Sequence, residues 1–151
     1  GLCSNENGWW YLTGGKIDFD YNGLASNEYG WWQIHGGKVD FDYNGLTANE
    51  NGWWRLAGGK IDFDYNGFAS NENGNWRVIG GKIDFNRTGV DFDGASWWRV
   101  EGGKVNTNYN GIAQNEYGWW YIRHGKVVFD FTGWTKVGSG RYYVHNGCVD
   151  R

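Results

Sequence analysis

The sequence repeats itself every 22 residues, and this period constrains the fold more than any other feature. Aligned on Gly-Trp-Trp, copies start at Gly8, Gly30, Gly52 and Gly118, with degenerate copies at Gly74, Ser96 and Gly140. No insertion or deletion breaks the phase. The units are 1–22, 23–44, 45–66, 67–88, 89–110, 111–132 and 133–151, the last three residues short. A unit this small cannot bury a core alone, so neighbours must stack, and 1–151 is expected to form a single repeat domain.

Each unit reads as a β-hairpin. In the first, Trp9–Thr13 and Lys16–Tyr21 are strand candidates on either side of Gly14-Gly15. Both central residues of a tight type I′ turn need positive φ, which glycine supplies. Asn22-Gly23 and the preceding Ser/Asn/Glu/Gly-rich stretches punctuate the other end. No segment shows a helical period. The expected class is all-β, with tandem β-hairpin repeats forming a solenoid. The chain holds 12 Trp, 10 Tyr and 8 Phe but few aliphatics, which predicts a core of flat rings rather than interdigitated aliphatic chains.

Strand alternation assigns the faces. Ile17, Phe19 and Tyr21 are expected on one side, with Lys16, Asp18 and Asp20 on the other. Three columns read as core. They are the Trp10 column (Trp10, Trp32, Trp54, Trp76, Trp98, Trp120, Tyr142), the Leu12 column (Leu12, Ile34, Leu56, Val78, Val100, Ile122, Val144) and the Ile/Val column beginning at Ile17. The Trp9 column is looser: Trp9, Trp31, Trp53, Trp97 and Trp119 share it with Asn75 and Arg141. A column that admits Asn and Arg is expected to be partly exposed. The next column varies as Tyr11, Gln33, Arg55, Arg77, Arg99, Tyr121 and Tyr143. An exposed flat ring flanked by hydrogen-bonding side chains suits a sugar, whose rings carry an apolar C–H face and a polar rim. Trp9, Trp31, Trp53, Trp97 and Trp119, with Tyr11, Arg55, Arg99 and Tyr121 beside them, are therefore the candidate ligand-binding residues.

The last unit runs Thr132-Gly133-Trp134-Thr135-Lys136, then Tyr142-Tyr143-Val144 and Gly147. This resembles the cell-wall-binding repeats of Gram-positive surface proteins, a superfamily of choline-binding modules, glucan-binding repeats and clostridial toxin tails. Units one to six, with Gly-Trp-Trp and Gly-Lys-Val-Asp-Phe, are similar to arrays of clostridial surface proteins. The resemblance implies an open hairpin solenoid with ligands held between successive hairpins, and for choline an aromatic cage drawn from adjacent repeats. At the Gly-Trp position of that motif the chain has Leu2, Leu24, Leu46, Phe68, Val90 and Ile112, and Trp only at Trp134. Such a cage is thus implied only near Trp134, Tyr142 and Tyr143.

Other chemistries fit less well. The net charge of −3, from 14 basic and 17 acidic residues, gives no electrostatic footprint for nucleic acid. No apolar run is long enough to insert in a membrane, and no signal-peptide pattern is present. No cofactor is expected. The segment Asp18-Phe19-Asp20-Tyr21-Asn22-Gly23 opens like a calcium loop, and recurs with Asp40, Asp42, Asn44 and with Asp62, Asp64, Asn66. Its twelfth position is Tyr29 rather than Glu, so a polar strand face with an Asn-Gly turn is the favoured reading and calcium the alternative. His35, His124 and His145 form no metal motif. Evenly repeated Glu6, Glu28, Glu50, Glu72 and Glu116 do not make the single asymmetric carboxylate pair a glycosidase needs, so no enzyme is expected.

The only cysteines, Cys3 and Cys148, lie in the first and last units. They admit one bridge, which would clasp the array into a closed ring of seven hairpins and cover both sheet ends. The open solenoid is the leading architecture and the ring its alternative. The chain starts in phase with its repeat and reads as a mature or excised segment. The leading function is a non-catalytic, multivalent carbohydrate-binding or cell-wall-attachment module, lectin-like, secreted or on a bacterial surface, whose partner is a cell-wall or host glycan polymer. The alternatives are a protein-adhesion or host-receptor-binding module and a structural repeat spacer. The oligomeric state is not legible.

Overall fold

The structure is a computed structural model that describes residues 1–150. Among these there is no helix, and 21 strands follow one another, three per sequence unit. The first unit contributes β1 (Leu2–Asn5), β2 (Gly8–Thr13) and β3 (Lys16–Ile17). The second contributes β4 (Gly23–Asn27), β5 (Gly30–His35) and β6 (Lys38–Val39), and the pattern runs on to β21 (Cys148–Asp150). All pairing is antiparallel. Leu2 faces Tyr11 and Asn5 faces Gly8 across β1–β2, while Leu12 faces Ile17 across β2–β3.

The expected second strand, Lys16–Tyr21, ends four residues early. The cause is Asp18. Its Oδ1 accepts the Asp20 N–H at 3.1 Å and its carbonyl accepts the Tyr21 N–H at 3.2 Å, which turns the chain away from the sheet. The expected Ile17–Phe19–Tyr21 face is therefore broken: Phe19 is 64% exposed. The same Asx turns recur at Asp40 and Asp62. Asp18, Asp40 and Asp62, ligands in the calcium alternative, each use Oδ1 to accept the backbone N–H two residues on. Asn22, Asn44 and Asn66 send Oδ1 to the N–H of Gly36, Gly58 and Gly80, and Nδ2 to the carbonyls of Asp20, Asp42 and Asp64. The D-x-D-x-N-G segment is thus a hydrogen-bonded turn.

Those asparagine bonds join one unit to the next. The glycine turn has the expected positive φ at both positions, 55° at Gly36 and 82° at Gly37. It docks on the Asp–Asn turn of the preceding unit. Gly37 donates to the Tyr21 carbonyl at 2.9 Å, and the Gly37 carbonyl accepts from the Tyr11 N–H at 2.7 Å. The docking recurs at Gly59 on Tyr43, Gly103 on Arg87, Gly125 on Tyr109 and Gly147 on Phe131. Where the asparagine is replaced, Thr88 and Thr132 supply a hydroxyl acceptor to Gly102 and Asn146. A Cβ on Gly37 would collide with the Asp18 carbonyl, and one on Gly59 with the Asp40 carbonyl.

The core is aliphatic, which corrects the expectation of a ring-built interior. The fully buried large side chains are Ile34, Leu56, Val78, Val90, Val100, Ile122 and Val144, all but one from the Leu12 column. Val39, Ile61, Ile83, Val105, Val127 and Val149 lie under them. The space between stacked three-stranded units takes one branched side chain per strand. An indole is too large for it, so the tryptophans of both columns are half-buried at its rim.

By internal contact the chain divides into two compact units. One comprises Gly1–Asn73 with Val78–Ile83, the other Gly74–Arg77 with the chain from Asp84 onward. In the first, Ala25, Ile34 and Val39 pack with Trp9, Tyr11 and Trp32, and Leu24, Leu56 and Ile61 pack with Trp31 and Trp54. In the second, Val90, Ala113, Ile122 and Val127 pack with Trp97 and Trp120. The clasp that the ring alternative required is not formed. Cys3 and Cys148 are both free, exposed thiols, each on a strand paired within its own compact unit, Cys3 opposite Trp10 and Cys148 opposite Trp120 and His145.

The docked glycine gives a direct test of stacking. Gly15 has the same φ as Gly59, about 80°, but a Cβ there meets nothing within 4 Å. Gly15→Ala should cost roughly 1 kcal/mol for the backbone conformation alone. Gly59→Ala adds the collision and should cost roughly 3 kcal/mol or more in urea unfolding. Equal costs would mean that the turn does not bear on its neighbour.

Candidate functional site

The turn between the first two strands of a unit sets the site. Asn27 Oδ1 accepts the Tyr29 backbone N–H and the Trp32 indole N–H, both at 2.9 Å. One side chain therefore closes the turn and fixes the indole. Asn5 holds Trp10, Asn49 holds Trp54 and Asn115 holds Trp120 in the same way, at 2.9–3.0 Å. In the fifth unit Asp93 takes the part, its Oδ2 accepting from Trp98 at 2.8 Å. A phenylalanine then meets Trp10, Trp32, Trp54 and Trp120 edge-on, while the fifth unit has Thr107 at that position. Trp32–Phe41 centroids are 5.4 Å apart and Trp120–Phe129 5.6 Å. The residues released from the sheet by the Asp turn are thus the ones that wall the tryptophan.

Two cavities of the same make result. One, about 460 Å³, lies among Trp9, Asn27, Tyr29, Trp32, Val39, Phe41 and Lys60. The other, about 340 Å³, lies among Trp97, Asn115, Tyr117, Trp120, Val127 and Phe129. Each has a valine floor and rings from two consecutive units. Tyr29 stands edge-on to Trp9 at 6.3 Å and Tyr117 to Trp97 at 5.9 Å. Both tyrosines are turn residues more than 60% exposed.

The predicted residues are divided by this geometry. Trp9 and Trp97 line the cavities, and Trp31, Trp53 and Trp119 are half-buried at the equivalent rim. The neighbouring column faces the other way. Tyr11 stacks on Tyr21 at 3.9 Å, Arg55 lies over Tyr65 at 4.4 Å and Arg99 over Tyr109 at 4.8 Å. Tyr121 is buried, at 8% exposure, and stacked on Phe131, so it offers no face to a ligand. Trp134 is exposed and edge-on to Tyr143, but the Arg141 guanidinium lies 5.3 Å over its ring, where the implied cage would hold its cation. Tyr142 is half-buried against the Tyr121–Val144–Val149 cluster.

Sequence reasoning placed Trp32 and Trp120 in the core and passed over Tyr29, Tyr117, Phe41 and Phe129. A signal for the tyrosines was present. The seventh position of a unit is Asn7, Asn51, Asn73, Ala95 or Ser139 elsewhere, but tyrosine at Tyr29 and Tyr117. The stretch Asn-Glu-Tyr-Gly-Trp-Trp occurs at 27–32 and at 115–120, the two cavities.

Burial raises the phenols of Tyr21 and Tyr43, whose hydroxyls donate to the carbonyls of Leu24 and Leu46. They are fixed supports. Asp91 raises the Arg87 guanidinium through a side-chain ion pair. The Asp93 carboxyl is lowered, chiefly by the backbone N–H of Ser96, then by Ala95 and the Trp98 indole.

A model of the choline-binding repeat matches residues 1–18, 20–40, 42–62, 64–84, 88–106, 108–128 and 130–150, and the chain belongs to this family of binding modules. Among solved structures it is similar to choline binding protein F from Streptococcus pneumoniae, at 18% identity over 99% of this chain and 51% of that one, TM-score 0.39. That protein in the presence of a tetrasaccharide-pentapeptide peptidoglycan analogue matches at 17% identity, with the same coverage and TM-score. The cell wall endolysin from phage Cp-1, complexed with choline, matches at 18% over 85% of this chain and 37% of its own, TM-score 0.37. The chain spans about half the length of choline binding protein F. No curated protein matches it.

The lowered Asp93 carboxyl makes the fifth-unit turn acid-sensitive. A depressed folded-state value adds stability that is fully present above the ordinary carboxyl range and is lost as pH falls through the lower, folded-state value. The melting temperature should therefore drop as pH is taken below about 4, and Asp93→Asn, which keeps an acceptor for the indole, should flatten that drop. An unchanged slope would contradict the assignment.

Proposed function

We propose that this choline-binding-repeat protein is a non-catalytic module that attaches to a cell-wall polymer, holding its sugar rings in the aromatic cavities between successive hairpins. The observation that carries the reading is the duplicated cavity, in which Tyr29 and Trp9, or Tyr117 and Trp97, stand across from an indole held by asparagine. Rings set edge-on to one another leave ring faces open, and these offer the apolar surface a sugar needs. Lys60 adds a hydrogen-bond donor at the second-unit cavity. A pocket of this size holds a short stretch of polymer, and weak sites repeated along one chain gain avidity on a dense surface. A partner on the wall places the protein outside the cytoplasm.

Neither cavity has an Asp or Glu in its lining to serve as one of an acid–base pair. This supports binding rather than turnover.

Pull-down on purified Gram-positive cell walls tests the reading. Tyr29→Ala with Tyr117→Ala removes two exposed turn side chains and should leave the far-UV spectrum unchanged. Wall affinity should fall about tenfold, roughly 1.4 kcal/mol. Binding equal to wild type would reject the cavities as the site. Retention on wall protein but not on deproteinised wall would favour adhesion to a protein instead.

A further inference from the structure

Asparagine followed by glycine occurs eight times in the chain, and the fold divides these pairs into two kinds. In Asn22-Gly23, Asn44-Gly45, Asn66-Gly67 and Asn110-Gly111 both ends of the side-chain amide are held. Oδ1 accepts the N–H of the docked turn of the next unit at 2.8–2.9 Å, and Nδ2 donates to the carbonyl two residues back at 3.2–3.4 Å. In Asn146-Gly147 the glycine is the held group, its N–H donating to the Phe131 carbonyl at 3.0 Å. The remaining pairs, Asn7-Gly8, Asn51-Gly52 and Asn73-Gly74, close the turn between the first two strands of a repeat. There the asparagine backbone N–H donates to Oδ1 of Asn5, Asn49 or Asn71, and among the described residues its own exposed side chain has no hydrogen-bond partner.

An asparagine amide beside glycine is open to attack by the glycine nitrogen, because no Cβ shields the approach. The nitrogen gives its proton to water or hydroxide and bonds to Cγ. The Cγ–Nδ2 bond breaks and ammonia leaves. Water then opens the cyclic imide. Cleavage at Cγ yields aspartate, and cleavage at the main-chain carbonyl yields isoaspartate, whose backbone runs through an extra methylene. At the held pairs Cγ cannot turn onto the nitrogen without breaking two hydrogen bonds and unseating the next repeat. We infer that Asn7, Asn51 and Asn73 are sites of spontaneous deamidation in the folded protein, while docking of successive repeats protects Asn22, Asn44, Asn66 and Asn110.

Conversion at Asn7 or Asn51 reaches a tryptophan. Asn5 pairs with Gly8 and Asn49 with Gly52 across a two-residue turn, and the same Asn5 and Asn49 hold the Trp10 and Trp54 indoles. A backbone with an added methylene does not keep that register. The new carboxylate also stands beside the glycine that the Lys38 or Lys82 stem crosses, so closely that a Cβ there would collide with it, and it draws the ammonium off the indole face. The second and sixth units have Tyr29 and Tyr117 at this position, so the turns that wall the cavities carry no labile pair.

Peptide mapping by mass spectrometry, with isoaspartyl methyltransferase labelling, tests this on the whole chain aged at mildly alkaline pH. Asn7, Asn51 and Asn73 should convert at least about tenfold faster than Asn22, Asn44, Asn66 and Asn110. In urea, where no turn is docked, the two groups should agree within about threefold. In the aged folded chain the Trp10 and Trp54 indole N–H resonances should move while those of Trp32 and Trp120 stay. Asn7→Gln with Asn51→Gln, which enlarges the ring that must close, should abolish that movement. Equal rates for the two groups in the folded chain, or no conversion at Asn7 and Asn51 while the unfolded chain converts, overturns the inference. Unmoved Trp10 and Trp54 signals in converted protein overturn the link to the indoles.

Discussion

Every unit after the first leans on the turn before it. The glycine turn inserts against the Asp–Asn turn of its predecessor, and three hydrogen bonds seal the contact, two to backbone carbonyl or amide and one to the asparagine or threonine side chain. No Cβ fits at the second glycine. This contact fixes the translation from unit to unit, and the rest follows. Within each compact unit it aligns the aliphatic columns and brings the third strand of one repeat beside the tryptophan of the repeat before it. A 22-residue unit without insertions is what such a contact demands, because a single extra residue would lift the turn off its seat.

The cavities are a consequence of that stacking. A strip only one aliphatic side chain wide cannot enclose an indole, so the tryptophans are left at its rim with one face open. Their N–H groups need acceptors there, and the turn asparagines supply them. Asp18 and its equivalents end the third strand early and swing a phenylalanine beside the ring. A phenylalanine thus stands beside Trp10, Trp32, Trp54, Trp76 and Trp120, but not in the fifth unit, which has Thr107 there. In the second and sixth units the turn tyrosines Tyr29 and Tyr117 add a further wall to an open cavity.

Much of this is legible in the sequence. The period, the hairpin, the positive-φ glycines and the aliphatic Leu12 column are read directly, because each is a local rule repeated many times over. The partly exposed Trp9 column is legible for the same reason. Two things are not. The strand break at Asp18 looks like continued alternation, since Ile17, Phe19 and Tyr21 keep the right period while the decisive force is a side-chain-to-backbone hydrogen bond. The Trp10 column looks like core because it is nearly invariant. Its constancy reflects instead the indole–asparagine bond and the lysine across the boundary. The pairings of Tyr11 with Tyr21 and of Lys60 with Trp32 join positions ten and 28 residues apart, which no window along the chain brings together. Tyr29 and Tyr117 were visible as departures from the repeat, and in a repetitive protein the departures carry the specialised chemistry.

The central claim is that ligand enters between an indole of one unit and the turn tyrosine of the next. Indole N–H resonances report this directly, one signal per tryptophan, during titration with solubilised cell-wall fragments. The account predicts that Trp9, Trp32, Trp97 and Trp120 shift while the signal of Trp54, whose turn carries Asn51 in place of tyrosine, stays put. Shifts confined to Trp134, or spread evenly over all twelve tryptophans, would contradict it.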